Sequence, residues 1–162
     1  MRGAHGVIEI KRLLAATDFS AHSEVAVRYA CGLAERLGAE LHLVHILSEI
    51  IPAGPDPLLM PVIPPQFYQD AEDRARSNLQ SLIQPAWGKP AGLCFAVRWG
   101  SPVEVIVDYA REQSIDLVVI ATHGRTGLSH VLLGSVAERI VREAPCPVLT
   151  IRDLHRAAVA SA

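Results

Sequence analysis

The chain has 162 residues, of which 50% are hydrophobic, 20% are charged and 5% are aromatic, and its formal net charge is −2. This length and composition are typical of one globular domain that buries roughly two-thirds of its unfolded surface. The slight negative charge provides no general attraction to nucleic acid or to an anionic membrane, which argues against duplex binding.

The cysteines and the apolar runs indicate the compartment. Cys31, Cys94 and Cys146 are widely spaced and odd in number, which predicts neither a disulfide framework nor a CxxC metal site. We interpret them as small buried hydrophobic residues. Charges interrupt the N-terminus before a secretory apolar region develops, and no apolar run approaches the roughly 20 residues of a membrane span. These features predict a cytoplasmic protein.

Short apolar runs alternate with segments of helical periodicity. The predicted elements, in chain order, are strand 12–17, helix 21–37, strand 41–47, helix 66–84, strand 93–98, helix 102–113, strand 116–121, helix 135–143 and strand 147–152. Between them, the stretch 51–65 contains six prolines and predicts an extended surface loop or lid. We expect one domain at 10–152, with flexible tails at 1–9 and 153–162.

Two helix boundaries have clear signals. Gly38 follows the first helical pattern and predicts its C-terminal stop. Ser101, Pro102 and Glu104 fit the N-cap, first and third positions of the third helix.

Apolar strands that alternate with helices predict an α/β fold. The sheet is expected to be open, parallel and five-stranded, with helices on both faces. Ligands of such sheets bind beyond the carboxyl ends of the strands, where the connection direction reverses. Asp18, after the first strand, and the loop 121–135, after the fourth, should flank one cleft there. The last strand is expected at a sheet edge, where pairing with a second copy would cover it.

The stretch after the fourth predicted strand carries the strongest functional signal. Its loop contains Gly124 and Gly127, and Gly134 and Ser135 then open a helix. Glycines let the backbone approach a ligand closely, and a helix N-terminus presents unpaired N–H groups with partial positive charge. This order predicts a phosphate pocket, in which the Ser135 hydroxyl and the two following amides bind the anion.

A purely structural interpretation of the same segment is a capping box. Ser135 would be the N-cap and Glu138 the third helical residue, each satisfying a backbone donor of the helix. The nearby glycines favour phosphate binding, because a capping box requires none of them.

Several other polar residues are open to two interpretations. Asp18 is either a turn or capping residue, or a contact to a base, a ribose or Mg²⁺. His123 either donates to phosphate or ribose or ties the loop down, and Arg125 either screens phosphate charge or is solvated. His42 and His45 should face opposite sides of one strand, so they cannot share a metal, and each is expected to be partly buried and hydrogen-bonded.

Three catalytic or nucleotide-binding motifs are missing from the sequence. It contains no GxxxxGK[ST], no GxGxxG after the first strand and no GxSxG. No residue stands out as a catalytic base, so any ATP hydrolysis is expected to be slow.

The chain resembles the universal stress protein family from Lys11 to Arg152. The resemblance is carried by LLAATDFS, ELHLVHI, the GSP helix start, ATHGRTGLSHVLLGSVAERIV and APCPVLTI. It implies a five-stranded α/β fold, a homodimer that pairs through strand 147–151, and a function in stress response. The family has an ATP-binding branch and a non-binding branch.

By position, the resemblance implies an ATP site, with Mg²⁺ accompanying the nucleotide. From the adenosine end to the phosphate end, the implied residues are Asp18, Leu41, Ile120, Ala121, His123, Gly124, Gly134, Ser135, Val136 and Ala137.

The chain departs from the ATP-binding pattern at two positions. Ala121 replaces the first glycine of the Gly-x2-Gly-x9-Gly-Ser pattern, and Ala137 replaces a frequent hydroxyl residue. Loss of one hydrogen bond at Ala137 would cost roughly 0.5–1.5 kcal/mol. These departures favour the second hypothesis, a dimeric adaptor of the non-binding branch. A third hypothesis, nucleotidyl transfer, is ranked last because no glycine follows the first strand.

Overall fold

The computed structural model describes residues 9–48, 64–124 and 133–152. Strands and helices alternate through them as predicted. Their bounds are β1 (Arg12–Ala16), α1 (Ala21–Leu37), β2 (Glu40–Leu47), α2 (Pro65–Leu82), β3 (Gly92–Trp99), α3 (Pro102–Glu112), β4 (Leu117–Ala121), α4 (Ser135–Glu143) and β5 (Val148–Ile151). A short 3₁₀ turn at Pro85–Trp87 precedes β3.

The strands form one parallel sheet in the order β3-β2-β1-β4-β5. The chain first builds outwards from β1 to β3, then crosses to the other side of β1 and builds outwards again through β4 to β5. The direction therefore reverses between β1 and β4, where the carboxyl ends of two neighbouring strands diverge into separate connections. The predicted fold class is confirmed, and β5 lies at a sheet edge as expected.

Helices cover both faces of the sheet. Since successive strand residues point to opposite faces, neighbouring residues of one strand pack in different cores. Leu13 packs in a core with α1 and α2, which contribute Val27 and Leu79. Its neighbour Leu14 packs in a second core with α3 and α4. This double coverage accounts for the almost entirely apolar strands.

The helix boundaries agree with most of the sequence signals. Gly38 ends α1 in the left-handed conformation, with a φ of 63°. Ser101 and Pro102 occupy the N-cap and first position of α3, although the Ser101 side chain makes no capping hydrogen bond. Pro65, which was predicted to belong to the proline-rich loop, instead begins α2, a position that a proline ring favours.

Some predicted features lie outside the described residues. They are the tails over 1–8 and 153–162, the proline-rich stretch over 51–63, and the loop 125–132 with Arg125 and Gly127. Within the described ranges, no helix is both long and apolar enough to cross a membrane.

The cysteines are unpaired, and their burial differs. Cys31 is buried, and this burial raises the pKa of its thiol to about 11. Cys94 and Cys146 are half-buried, so the prediction of three buried cysteines is correct for Cys31 alone.

His42 and His45 point to opposite faces of β2 and both are buried and hydrogen-bonded, as predicted. His42 contacts Tyr109 of α3, with its Nδ1 2.9 Å from the Tyr109 hydroxyl. His45 faces the turn between β1 and α1, with its Nδ1 2.8 Å from the carbonyl oxygen of Thr17.

Candidate functional site

A cavity of about 470 Å³ opens at the carboxyl edge of the sheet, where β1 and β4 diverge. Its walls come from five parts of the chain. They are residues 16–18 with Ser23, Ile46 with Ser48, Pro102 with Ile106, residues 120–124, and residues 134–137 with Ile140. The predicted cleft between Asp18 and the loop after β4 is therefore present.

The first wall is a tight turn that presents Asp18. Asp18 Oδ1 accepts a hydrogen bond from the Ser20 amide at 3.0 Å, and Ser20 is the N-cap of α1. Asp18 thus orders the turn, as one of its two interpretations predicts, and it also lines the cavity. Phe19, between them, has a φ of 62°, which a residue with a side chain rarely adopts.

A buried polar cluster supports this turn from behind. The hydroxyls of Thr17 and Ser23 are 2.9 Å apart, and the Phe19 amide donates to Thr17 Oγ1 at 3.0 Å. Both hydroxyl residues are almost completely buried. Because buried polar groups are costly unless they are paired, this cluster specifies one conformation of the turn.

The second wall is the segment after β4, which approaches the first wall very closely. A β-carbon added at Gly124 would lie 2.7 Å from Asp18 Oδ2, so a side chain at position 124 would displace the carboxylate. Glycine at position 124 therefore leaves the Asp18 carboxylate where it is, whereas a side chain there would move it.

Gly134 brings the start of α4 against the end of β4. Its amide donates to the Thr122 carbonyl oxygen at 2.7 Å, and an added β-carbon would lie 3.0 Å from that oxygen. Its φ of −68° is ordinary, so the constraint on a side chain at position 134 comes from this close backbone approach and not from the backbone conformation.

The helix cap at α4 differs from the capping-box interpretation. Gly134, not Ser135, is the N-cap, and no side chain caps the helix. Glu138 instead pairs with Arg142 at 2.6 Å. The first intrahelical hydrogen bond runs from the Glu138 amide to the Gly134 carbonyl, so the amides at 135–137 precede it. Such first-turn amides are the groups with which a helix binds an anion.

The ionisable side chains that line the described part of the cavity are Asp18 and His123, and no lysine or arginine is among them. His123 Nδ1 lies 3.0 Å from Thr122 Oγ1, which fixes the ring beside the cavity. The ring centre of His22, on α1, lies 6.2 Å from that of His123, although His22 is not among the residues that line the cavity. No pattern in the sequence marks His22.

Nine of the ten residues implied by position line the cavity. The exception is Leu41, which is wrong as a site residue. It is the second residue of β2, completely buried, and it pairs with Leu13 and Leu93 at the amino-terminal end of the strands. The residues of β2 and its end that line the cavity are Ile46 and Ser48.

A model of the universal stress protein family matches residues 9–152. The chain belongs to this family. A universal stress protein of Methanocaldococcus jannaschii is 30% identical over 146 residues, which cover 88% of this chain and 82% of the relative.

Solved structures of universal stress proteins share the fold. The UspA protein of Lactobacillus plantarum is 26% identical, with a TM-score of 0.69 over 89% of this chain and 99% of its own. An Arabidopsis thaliana member with AMP bound is 18% identical, with a TM-score of 0.55 over 88% of this chain and 91% of its own. A member in complex with cAMP is 22% identical, with a TM-score of 0.57 over 88% and 97%.

Ala121 and Ala137, at which the chain departs from the ATP-binding pattern of the family, both lie in described elements. Ala121 ends β4 in regular strand pairing with Ile151, so its backbone does not require glycine. Ala137 is buried in the core of α3 and α4 while it also borders the cavity.

Proposed function

We propose that this universal stress protein binds an adenine nucleotide, with ATP as its ligand, in the cavity between β1 and β4. The observation that carries the proposal is the arrangement of two opposing walls. One presents the Asp18 carboxylate, and the other presents the first-turn amides of α4. A nucleotide also has two chemically different ends, of which the polyphosphate suits the helix N-terminus.

The remaining lining suits the nucleoside. Ile46, Pro102 and Ile106 provide apolar surface for a purine ring, while Ser48 and Asp18 provide acceptors for base or ribose donors. A pocket that is mostly apolar with a few placed polar groups is typical of cofactor sites.

The charge of the site favours a nucleotide that arrives with Mg²⁺. The described lining contains one carboxylate and no lysine or arginine, so a bare triphosphate would be opposed by Asp18. Across the described ranges, no three His, Cys, Asp or Glu side chains are placed to hold a metal ion. Mg²⁺ that is bound to the substrate phosphates and keeps several waters would supply the positive charge that the described lining lacks.

The comparisons support adenine rather than another base. Two family members of the same fold are described with AMP and with cAMP. The ligand class common to both is an adenine nucleotide.

ATP would act as a regulatory ligand in a cytoplasmic stress response. A hydrolase requires a group that orients water at the terminal phosphate. The ionisable groups of the described lining are Asp18 and His123, and each already has a hydrogen-bond partner. Asp18 accepts from the Ser20 amide, and His123 Nδ1 contacts the Thr122 hydroxyl. We therefore expect hydrolysis to be slow or absent.

The protein would function as a homodimer through β5. This edge strand exposes Leu149, of which 37% is accessible, and the adjacent α4 exposes Val141. Pairing of two β5 strands about a two-fold axis would cover these side chains and close the sheet edge.

A specific observation also favours the alternative, a dimeric adaptor that binds no nucleotide. Because Ala137 has no hydroxyl and its methyl group packs in the core, the α4 wall lacks one side-chain donor near the phosphate position.

Isothermal titration of the full chain with ATP, AMP, cAMP and GTP, with and without Mg²⁺, separates these functions. We expect heat with adenine nucleotides, strongest with Mg²⁺-ATP, and little with GTP. Gly32→Ala is a suitable control variant, because an added β-carbon there makes ordinary contact, 3.5 Å from the Trp87 carbonyl oxygen. The absence of heat with every adenine nucleotide would favour the adaptor.

A further inference from the structure

His45 contacts both residues that flank Asp18, although it does not itself line the cavity. Its Nδ1 lies 2.8 Å from the Thr17 carbonyl oxygen, and its ring centre lies 4.3 Å from that of Phe19, with 36° between the planes. A carbonyl oxygen can only accept, so Nδ1 carries the proton and donates. The imidazole is buried, with 7% of its surface accessible.

The turn that His45 contacts needs such support. Phe19 adopts a φ of 62°, a left-handed conformation that is unfavourable for a bulky residue. The Phe19 amide and the Ser20 amide are bonded within the turn, to Thr17 Oγ1 and Asp18 Oδ1. These local bonds involve backbone amides and not the Phe19 ring, and His45 packs against that ring. Strained backbone persists at functional sites when the surroundings over-determine it.

We propose that His45 is a positioning residue for the nucleotide site. It holds the Thr17 carbonyl with a hydrogen bond and the Phe19 ring through a tilted ring contact, so that the Asp18 carboxylate between them stays at the cavity wall. This inference rests on the proposed function, because its effect on a ligand passes through Asp18.

The chain offers a matched control for this role. His42 lies three residues earlier on β2, is equally buried and is hydrogen-bonded to Tyr109, but it faces the opposite layer. Loss of its side chain removes a buried imidazole without touching the turn that carries Asp18.

The test is a double-mutant cycle on the full-length chain, with Mg²⁺-ATP affinity measured by calorimetry and the melting temperature measured in parallel. We expect His45→Leu and Asp18→Asn each to weaken ATP binding by roughly 10-fold, because a hydrogen bond to a charged group is lost or misplaced. If His45 acts through Asp18, the double variant should bind within about threefold of either single variant, since coupled sites are not additive. His42→Leu should lower the melting temperature and leave ATP affinity within about twofold of the wild type.

A milder substitution guards against misfolding of His45→Leu. His45→Asn retains a side-chain N–H near the Thr17 carbonyl while it loses the ring, so it should retain part of the affinity. It can replace His45→Leu in the cycle.

Two results would overturn the positioning role. One is an unchanged ATP affinity in both His45 variants, and the other is an additive loss of about 100-fold in the double variant. If the wild-type chain binds no adenine nucleotide, the proposed function fails as well. If the wild type binds and the losses are additive, only the role of His45 is refuted.

Discussion

Asp18 and Gly124 meet across the gap between β1 and β4, so closely that a β-carbon at position 124 would lie 2.7 Å from Asp18 Oδ2. The two residues are far apart in the sequence and come together because the parallel sheet places β1 beside β4. The carboxylate is thus held at the point where both connections leave the sheet, which is where open α/β sheets bind ligands.

Gly124→Ala is expected to weaken Mg²⁺-ATP binding by roughly 10-fold, because the new methyl group forces the Asp18 carboxylate away from its position. Asp18 is flexible at its end, so the melting temperature should change little. Calorimetry and thermal unfolding of Gly124→Ala and of the control Gly32→Ala measure both effects. Equal ATP affinity in the two variants would show that the Asp18 position does not matter for binding.

Gly134→Val should weaken ATP binding at least 10-fold, because the branched side chain occupies the space before the first-turn amides of α4. The fold should be retained, but with a loss of roughly 1–3 kcal/mol in unfolding free energy, since the β-carbon would crowd the Thr122 carbonyl oxygen. Titration and urea denaturation measure the two quantities. Gly134→Ala, which adds one methyl group at the same contact, should give smaller effects in both, and full ATP affinity in Gly134→Val would remove this wall from the site.

The unfolding free energy should fall on acidification, in part because of His42. Burial lowers the pKa of His42 below 6.5, and the nearby Glu40 carboxylate, 3.7 Å from Nε2, offsets this only partly. The unfolded chain therefore takes up a proton as the pH falls through about 6.5, whereas the folded chain binds it only at lower pH. Stability is thus lost as the pH falls from about 6.5 towards the lowered pKa of the folded state.

His42→Gln should make this pH dependence shallower. Urea denaturation at pH 8, 7, 6 and 5 provides the comparison, with pH 8 as the internal reference, since a histidine with a lowered pKa is neutral there in both states. Parallel curves for wild type and variant would contradict the assignment to His42.

Leu149→Arg should convert the proposed dimer to a monomer, because the substitution places a charge on the β5 edge. Leu93→Arg is the matched control, since Leu93 is 42% exposed on β3, the opposite edge strand, and Leu149 is 37% exposed on β5. Light scattering coupled to size exclusion gives the mass of each variant. A dimer that survives Leu149→Arg but dissociates with Leu93→Arg would place the interface on the other edge.

Most of the architecture could be predicted from local patterns. Neighbouring residues largely determine where a helix begins and ends. This applies to α1, with its apolar spacing and the following Gly38, and to the start of α3 at Ser101 and Pro102. Once the strands were predicted to be parallel, the positions of Asp18 and Gly124 at one edge followed from the topology.

The placement of Leu41 at the site was wrong for an identifiable reason. It came from a family resemblance, although the direction of a parallel strand already pointed to its carboxyl end and hence to Ile46. The capping-box alternative for Ser135, which the nearby glycines disfavoured, is absent from α4. Ser-x-x-Glu looks the same in the sequence whether the serine is the N-cap or the first helical residue.

The support behind Asp18 could not have been predicted from the sequence. Phe19 has a left-handed conformation, and its ring contacts His45, which lies on a different strand. A phenylalanine after Asp18 carries no local signal of this kind, because glycine or asparagine is the usual residue in such a conformation.

The conformation of Phe19 also has a consequence for how the protein responds to selection. Glycine at this position would relax the backbone, but it would also remove a ring that packs against the core formed with α1 and α2. Loss of a packed phenylalanine ring costs roughly 3–5 kcal/mol, against roughly 1–2 kcal/mol for one left-handed residue. A library at this codon that is screened for heat resistance should therefore keep the aromatic ring, as should one that is screened for ligand retention.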